Sequence, residues 1–334
     1  MSLETEDLPA LRTGECLVEV LACALCRSDL HTVSGNRTEP TPTILGHEIC
    51  GRIAAFGPDA ARFDADGAPL AVGSRVTWSV TVGCGMCGRC RAGYPQKCER
   101  LFKYGHRRVT AEEPLSGGLA SHLVLRKNST VFAVPDSLSD ALASLANCST
   151  ATVAAVLKAA GSLEGRSVLI FGAGILGVTA CAMARSRGAA RVDVVEPNAG
   201  LHDRAVLFGA DSVVAAAEVA GRYDVVLELS GSRVAAESAV DAAAVGGTVV
   251  LAGTVAPVGT IPLDPERVVR GLLTVRGVHN YHPMDLGEAV EFLAGAGQSF
   301  PFAELIGQRF PLSEVNSAFA LAATCSGQRI LIQP

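Results

Sequence analysis

The sequence predicts an α/β protein in two unlike parts. Residues 1–149 form a β-rich portion, residues 150–285 a doubly wound parallel sheet flanked by helices, and residues 286–334 a tail that returns to the first part. Three observations carry this. An apolar strand-like run, 168–171, leads into Gly172-Ala173-Gly174-Ile175-Leu176-Gly177 and then into an apolar helical stretch closed near Gly188. Strand and helix periodicities then alternate, the pattern of parallel strands joined by helices. Before residue 147, short strands such as 17–21 and 73–79 lie among many glycines and prolines, with little helical periodicity.

The elements of the second part follow in order. In the glycine run, Gly172 permits a tight turn, Gly174 the close approach of a pyrophosphate, and Gly177 the packing of helix on strand. The helix N-terminus, with Leu176 in its first turn, then faces the phosphates. A second strand, 191–195, ends at Glu196, nineteen residues beyond Gly177. An acid there accepts hydrogen bonds from the adenine-ribose hydroxyls and repels a 2′-phosphate, so NAD is expected rather than NADP. Helix 201–208 capped by Gly209, strand 224–229, helix 234–245, strand 248–252 and strand 274–278 continue the alternation. Leu286, Ala289, Val290 and Leu293 share one helical face. A helix at 313–322 and a strand at 329–333 have no place in a complete nucleotide sheet, which is why the tail is assigned to the first part. Residues 167–184 carry no charge and match a membrane span by length, but the glycine offsets account for them better.

Four cysteines, Cys84, Cys87, Cys90 and Cys98, are spaced C-x2-C-x2-C-x7-C within a lobe over 83–99. Four thiolates so placed suit one tetrahedral Zn²⁺ in a closed site, whose work is to hold a loop in shape. Chemistry has to lie elsewhere. Cys26 in Cys26-Arg27-Ser28-Asp29-Leu30-His31, His47 in Gly46-His47-Glu48, and Cys148 just before the glycine run match the Cys₂His set of a catalytic zinc that keeps a fourth position open. Chain distance does not prove that they converge, and each thiol taken singly serves equally well as a small buried hydrophobe.

Composition narrows the class further. The chain has 334 residues, 49% of them hydrophobic, with a net charge of −5 and no tract rich in lysine or arginine. That charge leaves no electrostatic footprint for nucleic acid or an anionic membrane. The acidic start, MSLETEDLPA, lacks an apolar signal region, so a cytoplasmic setting is expected. Eleven cysteines in a reducing compartment then read as metal ligands plus buried thiols.

Together these motifs resemble the zinc-dependent medium-chain alcohol dehydrogenases over nearly the whole chain. Gly46-His47-Glu48-x2-Gly51-x5-Gly57 is similar to that family's zinc signature, and the C-R-S-D-x-H run, the cysteine lobe and the glycine run follow in the family's order. The resemblance implies a GroES-like catalytic domain with a Rossmann domain, two zinc ions per chain and NAD. It implies a catalytic zinc on Cys26, His47 and Cys148, with Glu48 as a neighbouring carboxylate able to approach the metal. Ser28 is expected to take the hydroxyl proton of a zinc-bound alcohol and pass it towards His31 and solvent while hydride leaves to the nicotinamide. Asp29 is expected to orient His47, Arg27 to sit on the pyrophosphate, and Thr152 beside the nicotinamide. The family suggests a homodimer or homotetramer, with the apolar strand 274–278 able to pair across a dimer axis.

Substrate clues are fewer. Residues 40–46, 101–106, 114–118 and 277–281 resemble the branch of alcohol dehydrogenases associated with phosphonate metabolism. Lys103, His106, Arg107 and Arg108 form a basic cluster that suits a phosphonate or phosphate-bearing alcohol, or simply a solvated loop. A cyclitol or polyol dehydrogenase, and a zinc and NAD-binding homologue without turnover, are the alternatives. A zinc-independent reductase of the same superfamily is disfavoured by the retained zinc set. Family members usually open with a strand or hairpin before the segment equivalent to 17–21, whereas sixteen residues precede it here. The expected consequence is an exposed sheet edge or an opened substrate cleft, with impaired activity.

Overall fold

The computed structural model describes residues 1–219, 221–325 and 327–334. They divide into two compact units: Met1–Ala151 with His282–Ala294 and Phe302–Pro334, and Thr152–Tyr281 with Gly295–Pro301.

The first unit is built on a seven-stranded sheet. Its main path runs Ile306–Pro311, Arg329–Gln333, Cys16–Ala24, Glu48–Phe56, Arg75–Trp78 and Val131–Ala133, while His122–Leu125 pairs off the path with Cys16–Ala24. Alternating apolar residues on these strands bury Val18, Val20, Ile49, Ile53, Val76, Trp78 and Leu123 in one core, closed from the tail by Phe310, Phe319, Ile330 and Ile332. Residues Cys16–Glu19 pair with Glu48–Phe56 on one side and with His122–Leu125 on the other, and Cys23 and Ala24 pair with Ile332 and Leu331. Strand Cys16–Ala24 is therefore not itself a sheet edge.

The second unit holds a six-stranded, all-parallel sheet in the order Ser212–Val213, Arg191–Val195, Ser167–Phe171, Tyr223–Glu228, Ala243–Leu251, Thr274–Gly277. Its two central strands carry the buried apolar runs 168–171 and 225–227 and are covered by helices, as a parallel sheet requires. The charge-free run at 167–184 divides into strand Ser167–Phe171 and helix Ile175–Ser186.

Several boundaries differ from the sequence reading, and of the tail expected to return whole to the first part, Gly295–Pro301 belongs to the second unit. The helix expected over 234–245 ends at Ala242, and its strand begins at Ala243 rather than at residue 248. Ala243 pairs with Tyr223, then Gly246 at φ +76° breaks register before Thr248 pairs with Val225. An apolar AAAV stretch carries no period that separates helix from strand, so pairing decides it. The helices expected at 201–208 and 313–322 each start with a 3₁₀ turn, Ala199–Leu201 and Leu312–Glu314, and continue as His202–Leu207 and Val315–Thr324.

Candidate active site

Register in the first unit's sheet assembles the site. Ala24 lies opposite both Glu48 and Leu331, so the chain leaving strand Cys16–Ala24 reaches Cys26 beside the start of one neighbouring strand and of the other. Cys26 caps the helix Arg27–Val33 in extended conformation, and Asp29 folds back so that its Oδ2 accepts the Cys26 N–H at 2.9 Å. The Oδ1 of Asp29 accepts the Gly46 N–H at 3.3 Å and stands 3.4 Å from His47 Nδ1, a charge contact rather than a well-formed hydrogen bond. One fully buried carboxylate thus ties both ligand loops together. Gly46 is required at its place: φ is +88°, and a Cβ would lie 2.6 Å from Cys23 Sγ and 2.9 Å from the Leu119 nitrogen.

Cys148 arrives on a π-helical turn, Ala146–Thr150, of the kind that recurs at functional positions. Buried Asn147 pins that turn, accepting the Ile49 N–H at 3.1 Å and donating to the Trp78 carbonyl at 3.1 Å. Ile49 is two residues past His47, so this amide fixes Cys148 against the strand that follows the histidine. Ligand atoms of Cys26, His47, Glu48 and Cys148 all lie within 4.8 Å of one another.

Glu48 is fully buried and receives a two-pronged pair from Arg329, at 2.7 Å from Nε and 2.9 Å from Nη2. Nη2 also lies 3.7 Å from Cys26 Sγ. Burial nevertheless raises Glu48 to about 7, with Arg329 opposing and Cys26 adding to the rise. The Cys26 thiol is held well below its ordinary range, mainly by the hydrogen bond from Cys148, against the effect of burial and with help from Arg329 and His47. Cys148 is pushed up correspondingly by the same hydrogen bond and by burial. Burial works against a charged His47, yet Asp29 and Cys26 outweigh it and raise the imidazole to about 10. Two sulfurs, one imidazole and a stored proton within this distance fit a dication that displaces protons as it binds.

Ser28 and His31 sit three residues apart on helix Arg27–Val33, both half-buried, so they share a face. Ser28 Oγ is 3.4 Å from His47 Nε2. Arg27, on the same helix, is exposed.

The cysteine lobe stands on a small ladder, Thr81–Val82 against Phe102–Lys103. Cys84, Cys87, Cys90 and Cys98 bring their sulfurs within 4.8 Å of one another, and the Cys84 and Arg100 N–H groups point at Cys98 Sγ from 3.2 and 3.3 Å. Backbone hydrogen bonds from Met86 and Cys87 lower Cys84 to about 6, which favours the thiolate that a metal needs.

In the second unit each glycine of the turn shows its own constraint. Gly172 has φ +100° with Ser230 directly beneath it, a Cβ on Gly177 would lie 1.8 Å from the Gly172 carbonyl, and a Cβ on Gly174 would meet nothing within 4 Å. The open space over Gly174 and the N-terminal N–H groups of helix Ile175–Ser186, that of Leu176 among them, fit a pyrophosphate. Glu196 Oε2 accepts the Ala173 N–H and Oε1 the Asn198 N–H, both at 2.8 Å, which holds the carboxylate beside the turn. Thr152 is half-buried on helix Ala151–Ala160.

The basic cluster does not assemble as a set of free donors. Arg107 pairs with Glu113 at 2.8 Å, while His106 turns inward, its Nδ1 2.9 Å from Glu39 and its ring centroid 5.0 Å from that of His47. Burial, then the charges of His47 and Lys103, keep His106 far below the ordinary imidazole range. Lys103 is also lowered, by burial and by Arg37.

Several residues of the site escape sequence reading. Arg329 lies 281 positions from Glu48 and carries no local motif. Asn147 gives no signal beyond standing next to Cys148. Glu228 closes an apolar strand and accepts the Ser230 N–H, the Ser230 hydroxyl and the Gly231 N–H, each at 2.8 Å, supporting the loop under Gly172. Two cavities of about 290 and 300 Å³ lie elsewhere in the first unit, and no residue of either metal-ligand cluster lines them.

Comparison with known proteins agrees with this architecture. Residues 12–136 match the alcohol dehydrogenase GroES-like domain and residues 176–295 the zinc-binding dehydrogenase domain. An L-threonine 3-dehydrogenase from Pseudoalteromonas atlantica is 27% identical over 98% of this chain and 95% of its own length. An alcohol dehydrogenase of known structure from Thermotoga maritima superposes with a TM-score of 0.90 at 28% identity, covering 99% of this chain and 94% of that one. A zinc-binding dehydrogenase from Sinorhizobium meliloti, solved with NADP, shares the fold with a TM-score of 0.86 at 24% identity, over 98% and 94% of the two chains. The chain belongs to the zinc-dependent medium-chain alcohol dehydrogenase family, with a GroES-like and a Rossmann portion. It is accordingly a zinc-dependent oxidoreductase using a nicotinamide dinucleotide.

Proposed function

We propose that the protein transfers hydride between a small alcohol and NAD at the Cys26, His47 and Cys148 cluster. The observation that carries this is the convergence of those three ligands with Glu48 inside 4.8 Å, beside the Ser28 hydroxyl. The cysteine lobe is the second, structural zinc site. When bound in the open cluster, zinc supplies Lewis acidity that brings an alcohol's ionisation towards neutral pH.

The chain's own residues do the rest. Asp29 and Asn147 fix the two ligand loops, and Arg329 tethers Glu48 while opposing the rise that burial imposes on it. Ser28 accepts the hydroxyl proton and His31 carries it outward. The glycine turn holds the pyrophosphate, with Thr152 beside the nicotinamide. Glu196, anchored by two backbone N–H groups, keeps lone pairs for the ribose hydroxyls and repels a 2′-phosphate. The parallel sheet ends on Thr274–Gly277, exposed at every residue, an edge on which a second copy can add to give a homodimer or homotetramer.

The relatives' names bring L-threonine and simple alcohols into the candidate set, and polyols stay in it. A phosphonate or phosphate-bearing alcohol rests on local sequence resemblance alone, because Arg107 and His106 are engaged with carboxylates. NADH formation across such a panel, with and without an anionic group, tests the reading. Cys26→Ser is expected to bind NADH but lose turnover, with zinc falling from about two to about one per chain. Full activity in that variant would defeat the assignment.

A further inference from the structure

Beside the proposed metal centre, His106 carries a ring nitrogen without a partner among the described residues. His106 is 7% exposed, and its Nε2 is buried with no hydrogen-bond partner among the described residues. Its other nitrogen, Nδ1, is committed to Glu39 Oε1 at 2.9 Å, and the same oxygen takes Arg37 Nε at 2.7 Å. With Arg37 balancing Glu39, the Nδ1 proton is shared with the carboxylate and Nε2 presents a lone pair. The ring lies against His47, centroid to centroid at 5.0 Å and tilted by 40°, and the chain just before it passes so near Gly46 that a Cβ on Gly105 would lie 2.6 Å from the Gly46 carbonyl oxygen. Burying an acceptor without a donor is costly, so a position next to the reacting site calls for a ligand that donates to it.

We propose that His106 Nε2 is a specificity-determining substrate contact, accepting a hydrogen bond from a second donor, a hydroxyl or an ammonium, on the carbon next to the one oxidised. This deepens the reading of the site as an alcohol dehydrogenase and rests on it. The preferred substrates are then vicinal diols or amino alcohols. An anionic group at the same place would face a lone pair, which disfavours it.

The test compares kcat/KM, with NAD, for butane-2,3-diol and butan-2-ol in the native enzyme, in His106→Leu and in His106→Gln. The native enzyme is expected to favour the diol by about tenfold or more, the scale of one buried hydrogen bond. In His106→Leu that ratio collapses towards one, and in His106→Gln, whose carbonyl can accept, much of it returns. NADH binding and zinc content, measured on each variant, report whether it is folded. A native enzyme that oxidises both alcohols equally, or a diol preference that survives in both variants, overturns the His106 contact and leaves the alcohol dehydrogenase reading standing. Oxidation of neither alcohol, nor of 1-aminopropan-2-ol or L-threonine, would sink both.

Discussion

At the scale of single residues, the pair Glu48 and Arg329 shows what the sequence could and could not convey. Glu48 stands out in Gly46-His47-Glu48, but its partner comes from the last strand and has no motif. Removing Arg329 leaves a buried carboxylate without its counter-charge, so Arg329→Met is expected to destabilise the metal-free protein by about 3–5 kcal/mol. The sign with pH follows from Glu48 standing at about 7, above its ordinary 4.5. The folded state holds the proton more tightly, so the stabilisation linked to this group is full below 4.5 and fades as pH rises through 7. Without Arg329 that fade extends to higher pH, and urea unfolding at pH 6 and pH 8 reads it. Glu48→Gln added to Arg329→Met should recover most of the loss; no recovery would mean the pair is not the cause. Glu196 is a simpler case, because its spacing from Gly177 was visible. Glu196→Ser is expected to lower kcat/KM for NAD about tenfold and raise the relative use of NADP, and an unchanged NAD to NADP ratio would count against its ribose role.

At the scale of elements, what could be read was whatever repeats locally. The glycine turn and the cysteine lobe each lie within about twenty residues and carry their own spacing rules, so both were legible. The π-turn that delivers Cys148 was not, since five residues of Ala-Asn-Cys-Ser-Thr carry no period and their geometry depends on Asn147 bridging to Ile49 and Trp78. Asn147→Ala leaves a buried N–H and a buried carbonyl unpaired, a cost of about 1–3 kcal/mol for each. The expected outcome is selective: catalytic zinc is lost or exchanges faster while lobe zinc stays, so metal analysis after mild chelation moves from about two ions per chain towards one. Equal loss from both sites would show that Asn147 acts on the fold at large rather than on the turn. The 234–245 segment was misread for a related reason, an apolar run whose state is set by a neighbouring strand.

At the scale of the molecule, the site exists because one strand's register is read on two sides. Ala24 faces Glu48 and Leu331, which brings residues near 26, 48 and 329 to one point, and no pattern along the chain encodes that coincidence. The cysteine and histidine types were legible, their convergence only through family resemblance. The last strand is therefore internal to the fold although it comes last in sequence: Arg329–Gln333 lies between Ile306–Pro311 and Cys16–Ala24. Its Ile330, Leu331 and Ile332 are fully or almost fully buried. At about 1.5–3 kcal/mol each, their loss alone is comparable with a domain's whole stability of about 5–15 kcal/mol, before the unpairing of two neighbouring strands is counted. Deleting residues 329–334 is thus expected to abolish cooperative unfolding of the first unit and, with it, zinc binding at Cys26, His47 and Cys148. Thermal unfolding followed by circular dichroism, alongside zinc analysis, reads both. A shortened chain that still melts within a few degrees of the intact protein and retains its catalytic zinc would show that the sheet does not depend on its final strand, and that the site is assembled by some other means than this register.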